Sequence, residues 1–201
     1  MARPIEYDKQ EVLDRITNAF WLKGYEGTSV SELVSETQLN TRTMYNLFED
    51  KTGLFHAALE NYYQSRLQSI LDRLSACHTL ENLVEFIESY ADSEYLNGCL
   101  FVNTLSEHNT ISKKSLKYVH GYFQQFKEIL SSKLSAAGEG REFTQDADIV
   151  ANMIICFIQG YCTYIKLGKG KEANKLLLDH FASLLKVSHA LETEVNADIR
   201  T

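Results

Sequence analysis

The sequence predicts an all-α protein of about nine helices, and three features of the chain support this fold class. Apolar residues recur at intervals of three and four along most of the 201 residues, the spacing that places them on one face of a helix. Ser, Thr, Asp or Asn stands just before several of these stretches, as expected of helix N-caps. The single proline and the lack of a convincing apolar–polar alternation argue against strands. We expect a three-helix domain at residues 1–50 and a second helical domain at residues 51–201.

Composition and charge describe a globular protein without general affinity for polyanions. Hydrophobic residues make up 44% of the chain and the net charge is −7. Residues 1–51 carry six basic and nine acidic groups, which counts against nucleic-acid binding because phosphate neutralisation supplies most non-specific affinity. However, four of those acids cluster at the start of the first predicted helix, whereas residues 37–48 contain Arg42 and no acid. Any DNA contact is therefore predicted to be weak on non-specific DNA and to need a symmetric, two-headed arrangement.

The first predicted helix begins at the Asp8-Lys9-Gln10-Glu11 capping box and ends near Lys23, because Gly24 favours a left-handed stop. The second begins at a further box, Ser29-Val30-Ser31-Glu32, in which the serine hydroxyl and the glutamate carboxylate each satisfy a backbone N–H.

A third short helix is predicted from Thr41 to about Leu47, with Asn40 as its N-cap. Two helices joined by so short a turn describe a helix-turn-helix, whose second helix fits the DNA major groove. Phe20, Leu33, Met44 and Phe48 are the predicted core of this three-helix unit.

The residues of the third helix that face outward have side chains suited to DNA. Arg42 can donate a fork to guanine, Asn46 can pair with adenine, and threonine methyls can touch the thymine methyl. Tyr45 and Lys51 can reach phosphates, which fix the register without selecting a sequence. Periodicity alone leaves a second interpretation open, a plain three-helix corner in which these residues are solvated.

Three motifs in residues 8–56 resemble the DNA-binding domain of the TetR family of bacterial transcriptional regulators. They are Gly24-Tyr25-x-x-Thr28-Ser29-Val30, Leu39-Asn40-Thr41-x-Thr43-Met44-Tyr45-x-x-Phe48 and Lys51-x-x-Leu54-Phe55. The resemblance implies that Thr41, Arg42 and Thr43 contact bases. It implies phosphate contacts from Thr28, Ser29, Tyr45 and Lys51. Arg42 stands where many members carry glycine or another small residue, so the operator sequences of relatives do not transfer to this chain.

Six further helices are predicted beyond the helix-turn-helix. The first has Asp50 as its N-cap and runs from Lys51 to about Leu74 without a flexible linker, roughly 35 Å at 1.5 Å per residue. The resemblance implies that this rod carries the signal between the domains. The others are Leu80–Tyr95 with Thr79 as N-cap, Cys99–Glu107, Ser112–Ala137, a helix from Thr144 or Asp146 to Leu167, and Lys171–Leu191.

The last two helices are apolar on more than one face, so they must be covered on several sides. We expect each subunit to contribute both to a four-helix dimer interface, as the resemblance also implies. The residues predicted at this interface are Ile154, Ile158, Leu177, Phe181 and Leu184. A homodimer would place two reading helices about 34 Å apart on double-stranded DNA, as a palindromic operator requires.

The second domain is rich in aromatic residues, which commonly line small-molecule sites. The alternative is that they form only the core. The predicted lining of a site for a small-molecule effector of unknown identity is Phe86, Tyr90, Cys99, Tyr118, Tyr122, Phe126, Phe157 and Tyr161. In the family, effector binding releases the DNA, so a repressor is the expected output.

Cys99 lies in Asn97-Gly98-Cys99-Leu100-Phe101-Val102-Asn103, which resembles a stretch of TetR members that sense oxidants, electrophiles or metals. A helix N-terminus would favour the thiolate and hence a redox-sensing regulator. The alternative interpretation is a small buried residue.

The chain is expected to be cytoplasmic, with reduced thiols and no membrane segment. Its four cysteines form no Cys-x-x-Cys pair, no signal peptide is evident, and the longest apolar run is interrupted by Asn152. No histidine metal motif, phosphate loop or nucleophile elbow occurs, so neither an enzyme nor a cofactor or metal site is predicted. A third class, an all-α protein-interaction module without DNA binding, would not need Arg42 or Lys51.

Overall fold

The computed structural model describes residues 7–92, 97–137 and 147–198, with side chains except those of residues 91, 92, 137 and 186–198. In chain order the helices are α1 (Lys9–Lys23), α2 (Val30–Thr37), α3 (Thr41–Phe48), α4 (Lys51–Tyr62), a π-helical turn (Tyr63–Leu67), α5 (Gln68–Ser75), α6 (Leu80–Glu88) with a 3₁₀ turn (Ser89–Asp92), α7 (Leu100–Ser106), α8 (Lys113–Ala137), α9 (Ala147–Tyr164) with a 3₁₀ turn (Ile165–Leu167), and α10 (Lys171–Asp198). All regular elements in these ranges are helical, which confirms the all-α class. With α4, the π turn and α5 counted as one rod, the described ranges hold nine helices. The helix start predicted at Thr144 or Asp146 lies outside the described residues.

Side-chain caps begin the N-terminal helices at the predicted positions. The Asp8 carboxylate accepts hydrogen bonds from the backbone N–H groups of the first turn of α1, and Ser29 Oγ accepts one from the first turn of α2. Asn40 and Asp50 cap α3 and α4 with N–O distances of 2.8 Å each. These bonds satisfy N–H groups that have no partner within a helix, each cap stabilising its helix by about 1 kcal/mol.

The glutamates of the two predicted capping boxes make different contacts from those expected. Glu11 pairs with Arg15 at 2.7 Å, and Glu32 pairs with Lys23 on α1. Each carboxylate is therefore committed to a cation rather than to the N-cap backbone N–H.

The chain divides into two compact units, each of which combines two segments of the chain. The first comprises Met1–Gln68 and Cys99–Tyr122, and the second comprises Ser69–Gly98 and Phe123–Thr201. The packing thus places residues 51–68 and 99–122 with the N-terminal helices, whereas the predicted domain boundary lies at residue 50.

The core of the first unit is formed where α1, α2, α3 and α4 converge. Phe20, Leu33 and Met44 are fully buried as predicted, each gaining about 1.5–3 kcal/mol from removal of its side chain from water. Phe55 of α4 joins them with its ring centroid 5.0 Å from that of Phe20. Phe48 remains half-buried, so it contributes less to this core than predicted.

The rod that follows α3 is not the uniform α-helix that the sequence predicts. A π-helical turn, Tyr63–Leu67, separates α4 from α5. Such turns insert an extra residue into the hydrogen-bonding pattern and often lie at functional sites. The boundary between the compact units falls immediately after this turn, at Gln68.

In the second unit α10 packs against α6 and against the 3₁₀ turn Ser89–Asp92, and α9 supplies further buried apolar residues. Ile154 and Ile158 face its interior, with 1% and 8% of their surfaces exposed, respectively. The opposite side of α9 is also apolar, because Ile149 and Met153 are 57% and 60% exposed.

Among the described residues, Ala147–Leu167 is one helical segment long and apolar enough to cross a membrane by length and composition. Its most apolar window has a mean hydropathy of 1.3, and 39% of that window is buried within the protein. A core helix of a soluble protein has the same properties. Here the apolar residues divide between the inner face of the second unit and the outer face that carries Ile149 and Met153.

His56 of α4 is a buried titratable group of the first unit, with 8% of its surface exposed. Its Nδ1 lies 3.2 Å from Ser115 Oγ and its Nε2 lies 3.5 Å from a Glu60 carboxylate oxygen. Burial, followed by the charge of Lys114, lowers its pKa, and Glu60 offsets this only in part. The folded protein therefore holds His56 neutral.

We expect the free energy of unfolding to fall as the pH drops below about 6.5, the ordinary pKa of histidine, because the unfolded chain then binds a proton that the folded chain resists. The stabilisation is present above that pH and is lost on acidification towards the lowered pKa. Urea titrations between pH 7.5 and about 5 should show a shallower pH dependence in His56→Gln than in the native chain. The exposed His120→Gln is the matched control. An equal change in both variants would contradict this role of His56.

Candidate nucleic-acid interface and effector site

The helix-turn-helix is fixed by a three-residue turn between α2 and α3. Gln38 adopts a left-handed conformation at φ 58°, which reverses the chain after α2. Leu39, 2% exposed, inserts its side chain into the core. Asn40 then caps α3. Met44 is the fully buried residue of α3, and four of its other residues remain exposed.

The exposed face of α3 carries the side chains predicted to contact DNA. Thr41, Arg42, Tyr45 and Asn46 are exposed, and Thr43 is partly exposed. Arg42 and Asn46 lie four residues apart, so one turn of helix separates a guanidinium fork from a carboxamide on the same face. A side chain of the type that can pair with guanine therefore lies beside one of the type that can pair with adenine.

Ser29 and Thr28 differ although they are adjacent. Ser29 Oγ is exposed, accepts from Glu32 N–H at 3.2 Å and lies 2.9 Å from Ser31 Oγ. Thr28 is fully buried, and its hydroxyl donates to the Gly24 carbonyl at 2.8 Å. The predicted phosphate contact of the Thr28 side chain is therefore corrected, since its hydroxyl serves the turn after α1.

Lys51, at the first position of α4, is held in place by an aromatic ring. Its ammonium lies 4.4 Å from the centroid of the Tyr25 ring, within the range of a cation–π interaction. Tyr25 packs against Phe55 at 5.0 Å between centroids, and its hydroxyl lies 3.3 Å from Thr52 Oγ. The half-exposed lysine thus has a defined position, which would reduce the entropy lost on binding an anionic partner.

The predicted effector residues belong to separate aromatic clusters. In the first unit, Tyr118 lies between His56, Tyr63 and Phe101, with ring centroids 5.6–6.0 Å apart. Burial raises the pKa of the Tyr118 hydroxyl. Tyr122 packs edge-on against Phe101 at 5.3 Å.

Two further clusters lie in the second unit. Phe86 contacts Tyr90 at 5.5 Å and Phe126 at 6.3 Å between centroids. Phe157 stacks on Tyr161, and burial raises the pKa of Tyr161 to about 12. Most of these rings are at least nine-tenths buried. The core interpretation thus holds for most of them individually.

Cys99 is the N-cap residue of α7 and is 8% exposed. A buried thiol is costly to ionise, which favours the packing interpretation over a reactive thiolate. Cys162 is also buried, whereas Cys156 is exposed on α9.

The structure revises the residues predicted at the dimer interface. Ile154 and Ile158 are buried within their own subunit, with 1% and 8% of their surfaces exposed, so they offer little surface to another chain. Leu177 and Phe181 are half-buried, and Leu184 is 65% exposed. Among the described side chains of α9 and α10, Ile149, Met153 and Leu176 face outward although they were not among the predicted interface residues.

A polar cavity of about 600 Å³ that the sequence did not indicate lies within the first unit. Its lining consists of Glu11, Asp14, Arg15, Thr17, Asn18, Trp21, Asn61, Ser65 and Arg66. Several of these groups already bond one another: Asn61 donates to Asp14 and Thr17, and Arg66 lies 4.6 Å from the centroid of a Trp21 ring. In the described ranges no three His, Cys, Asp or Glu side chains converge as a metal site.

A short recognition helix, exposed with DNA-reading side chains and braced by three other helices, defines a helix-turn-helix DNA-binding protein. Residues 12–58 match the model of the tetR family of bacterial regulatory proteins, and residues 71–181 match that of the tetracyclin repressor-like C-terminal domain. The chain belongs to the tetR family. It is a helix-turn-helix transcriptional regulator, and members of this family bind DNA and are not enzymes.

Curated relatives extend along most of the chain. It is 28% identical over 192 residues to the HTH-type transcriptional repressor ComR of Escherichia coli, covering 87% of this chain and 86% of that protein. It is 22% identical over 194 residues to the HTH-type transcriptional repressor DhaR of a Mycobacterium species, covering 92% and 96% of the two chains.

Solved structures share the fold. A cysteine mutant of the TetR family regulator CifR, complexed with 26-bp double-stranded operator DNA, superposes with a TM-score of 0.77 at 20% identity, covering 90% of this chain and 98% of that chain. A TetR family regulator from Cytophaga hutchinsonii gives a TM-score of 0.72 at 19% identity, with 90% and 96% covered.

Proposed function

We propose that the protein is a cytoplasmic, homodimeric repressor that binds a palindromic operator through α3 and is released from it by a small-molecule effector. The proposal rests above all on one observation: Arg42 and Asn46 are both exposed on α3, which the buried Met44 anchors. The relatives ComR and DhaR are both transcriptional repressors, which supports repression as the direction of regulation.

The base-reading role falls to Thr41, Arg42, Thr43 and Asn46. Ser29, Tyr45 and Lys51 are proposed to bind phosphates, since they flank the exposed face of α3 at helix N-termini or at its edge. Helix N-termini present unpaired N–H groups and a positive dipole end, which suit a phosphate.

Dimerisation is proposed to occur through α9 and α10. The exposed residues Ile149, Met153, Leu176 and Leu184 present an apolar surface that water would otherwise cover. Phe157 and Phe181 stack with centroids 3.6 Å apart and join the two helices of one subunit. A pair of such helices from each subunit would form a four-helix interface.

The effector is proposed to bind among the aromatic residues of the C-terminal region, where tetR-family proteins hold their ligands. The effector can release DNA only in proportion to its different affinities for the DNA-bound and free conformations.

Selection of bound sequences from random duplex DNA by the purified full-length protein tests the operator proposal. A palindromic consensus is the expected result, because two identical subunits present identical recognition helices. Recovery of no consensus, or of a single half-site without symmetry, would refute the dimeric operator.

Arg42→Ala should cost about 1–3 kcal/mol in binding to the selected operator and relax base preference at one position of each half-site. Lys51→Ala should weaken binding to all duplexes alike and lower the slope of log affinity against log salt by about one per subunit. Fluorescence anisotropy on the operator and on a scrambled duplex at several salt concentrations separates the two effects. If both variants lose the same affinity on both duplexes, the assignment of base and phosphate contacts is wrong.

Met153→Glu and Leu184→Glu should shift the protein towards monomer in sedimentation equilibrium and abolish tight binding to the palindrome, because each places a charge in the proposed apolar interface. Leu22→Glu is a matched control, since Leu22 is 56% exposed and lies on α1, which belongs to the other compact unit.

The buried residue on the same helix should respond differently. Ile154→Ala should lower the free energy of unfolding by about 2–5 kcal/mol by creating a cavity in the second unit. If dimer stability is unchanged in both Met153→Glu and Leu184→Glu, the proposal that α9 and α10 form the interface is wrong.

A further inference from the structure

A carboxylate from α7 holds the turn between α1 and α2. Glu107, the C-cap residue of α7, accepts hydrogen bonds from the backbone N–H of Tyr25 at 2.8 Å and of Glu26 at 3.0 Å, one to each carboxylate oxygen. The contact joins residues more than eighty positions apart in the chain. Bonds from backbone N–H groups to an ionised acceptor are roughly twice as strong as those between neutral groups.

The turn is shaped to receive this carboxylate. Gly24 has φ +77°, and a Cβ added to it would lie 2.9 Å from each Glu107 carboxylate oxygen. A side chain at this position would therefore strain the backbone and collide with the carboxylate. Glycine leaves space for both oxygens to approach the two N–H groups.

The residue held by Glu107 in turn orients Lys51. The backbone N–H of Tyr25 is bound to Glu107, while its ring lies 4.4 Å from the Lys51 ammonium. Phe20 and Phe55 pack on the same ring, so its plane is fixed by contacts on several sides. A displacement of the turn would move the ring and, with it, the starting position of the ammonium.

We propose that Glu107 is a positioning residue for DNA binding, which sets the Lys51 ammonium for a phosphate by holding the turn that carries Tyr25. The inference rests on the proposed phosphate contact of Lys51. Glu107 lies within the tetracyclin repressor-like C-terminal match, residues 71–181, whereas Tyr25 and Lys51 lie within the N-terminal match, residues 12–58. The contact thus joins the effector-domain sequence to the DNA-binding sequence inside one compact unit.

Because each Glu107 carboxylate oxygen accepts one hydrogen bond, substitutions of Glu107 can test whether both acceptors are needed. Glutamine offers one oxygen acceptor and turns an NH₂ group towards the second N–H, so Glu107→Gln should lose at least one of the two bonds. Glu107→Ala loses both. Removal of a negative charge near DNA would by itself strengthen binding, so weaker binding in these variants runs against the simple charge effect.

The experiment measures binding of the full-length protein to a random-sequence duplex by fluorescence anisotropy across a salt series. Glu107→Ala should weaken binding about threefold to tenfold and lower the salt slope towards that of Lys51→Ala. The double variant should bind no more weakly than Lys51→Ala alone, because both substitutions remove one contact. Glu26→Gln is the charge-matched control and should bind as the native protein does or slightly better.

Amide hydrogen exchange provides a readout that does not depend on DNA. Glu107→Gln should accelerate exchange at Tyr25 and Glu26 while leaving Met44 in α3 unchanged. This measurement decides the case in which Glu107→Ala folds poorly. Unchanged exchange at both amides in Glu107→Gln would overturn the inference.

Two DNA-binding outcomes separate the inference from the function on which it rests. If Lys51→Ala weakens binding but both Glu107 variants bind as the native protein does, the positioning role is wrong and the phosphate contact stands. If Lys51→Ala has no effect, the phosphate contact itself fails and the positioning role fails with it.

Discussion

The DNA-binding surface depends on the anchoring of an eight-residue helix that could not persist alone. A helix of two turns pays the cost of nucleation without enough subsequent hydrogen bonds to recover it. In this chain α3 is held by the cap at Asn40, by the buried side chain of Leu39 before it and by Met44 within it. Because these few anchors suffice, four residues on the two turns of α3 remain exposed: Thr41, Arg42, Tyr45 and Asn46. Any change that loosens an anchor alters the whole reading surface.

Charge imposes the second constraint on this surface. The protein is acidic, with a net charge of −7, so its affinity for DNA cannot come from a general positive field. Pairing of Glu32 with Lys23 and of Glu11 with Arg15 commits acids of the N-terminal helices to local cations. The contact of a single α3 helix with DNA is therefore expected to be weak. Two such contacts that are joined bind more tightly, because the second binding event is then intramolecular. The dimerisation proposed for α9 and α10 would join two α3 helices in this way and so offset the acidic composition of the chain.

Local features of the fold could be predicted from the sequence because their causes are local. The caps at Asp8, Ser29, Asn40, Asp50 and Thr79 act within one turn, and each begins a helix where the pattern indicates. The bounds of α7 and α8 agree with the prediction within one residue at each end.

Local sequence patterns could not predict which side chains tertiary packing would bury or which distant residues would come into contact. In α9, periodicity cannot decide which apolar side faces inward when both sides are apolar, and the structure buries Ile154 and Ile158 while exposing Ile149 and Met153. The buried hydroxyl of Thr28 and the partners of Glu107 depend on residues far along the chain or on the path of the turn. No spacing rule encodes them.

The rod and α7 offer two physically different routes between the C-terminal sequence and the reading surface. The rod is covalently continuous, but its π-helical turn at Tyr63–Leu67 interrupts the regular hydrogen-bonding pattern just before the end of the first unit. Helices bend at such turns, so a displacement beyond it need not reach Lys51 undiminished. The Glu107 carboxylate acts on the α1–α2 turn directly and without a lever. In the proposed arrangement, an effector that shifts α7 would move the Lys51 ammonium even if the backbone of α4 stayed fixed, because the Tyr25 ring that supports the ammonium is held from the α7 side.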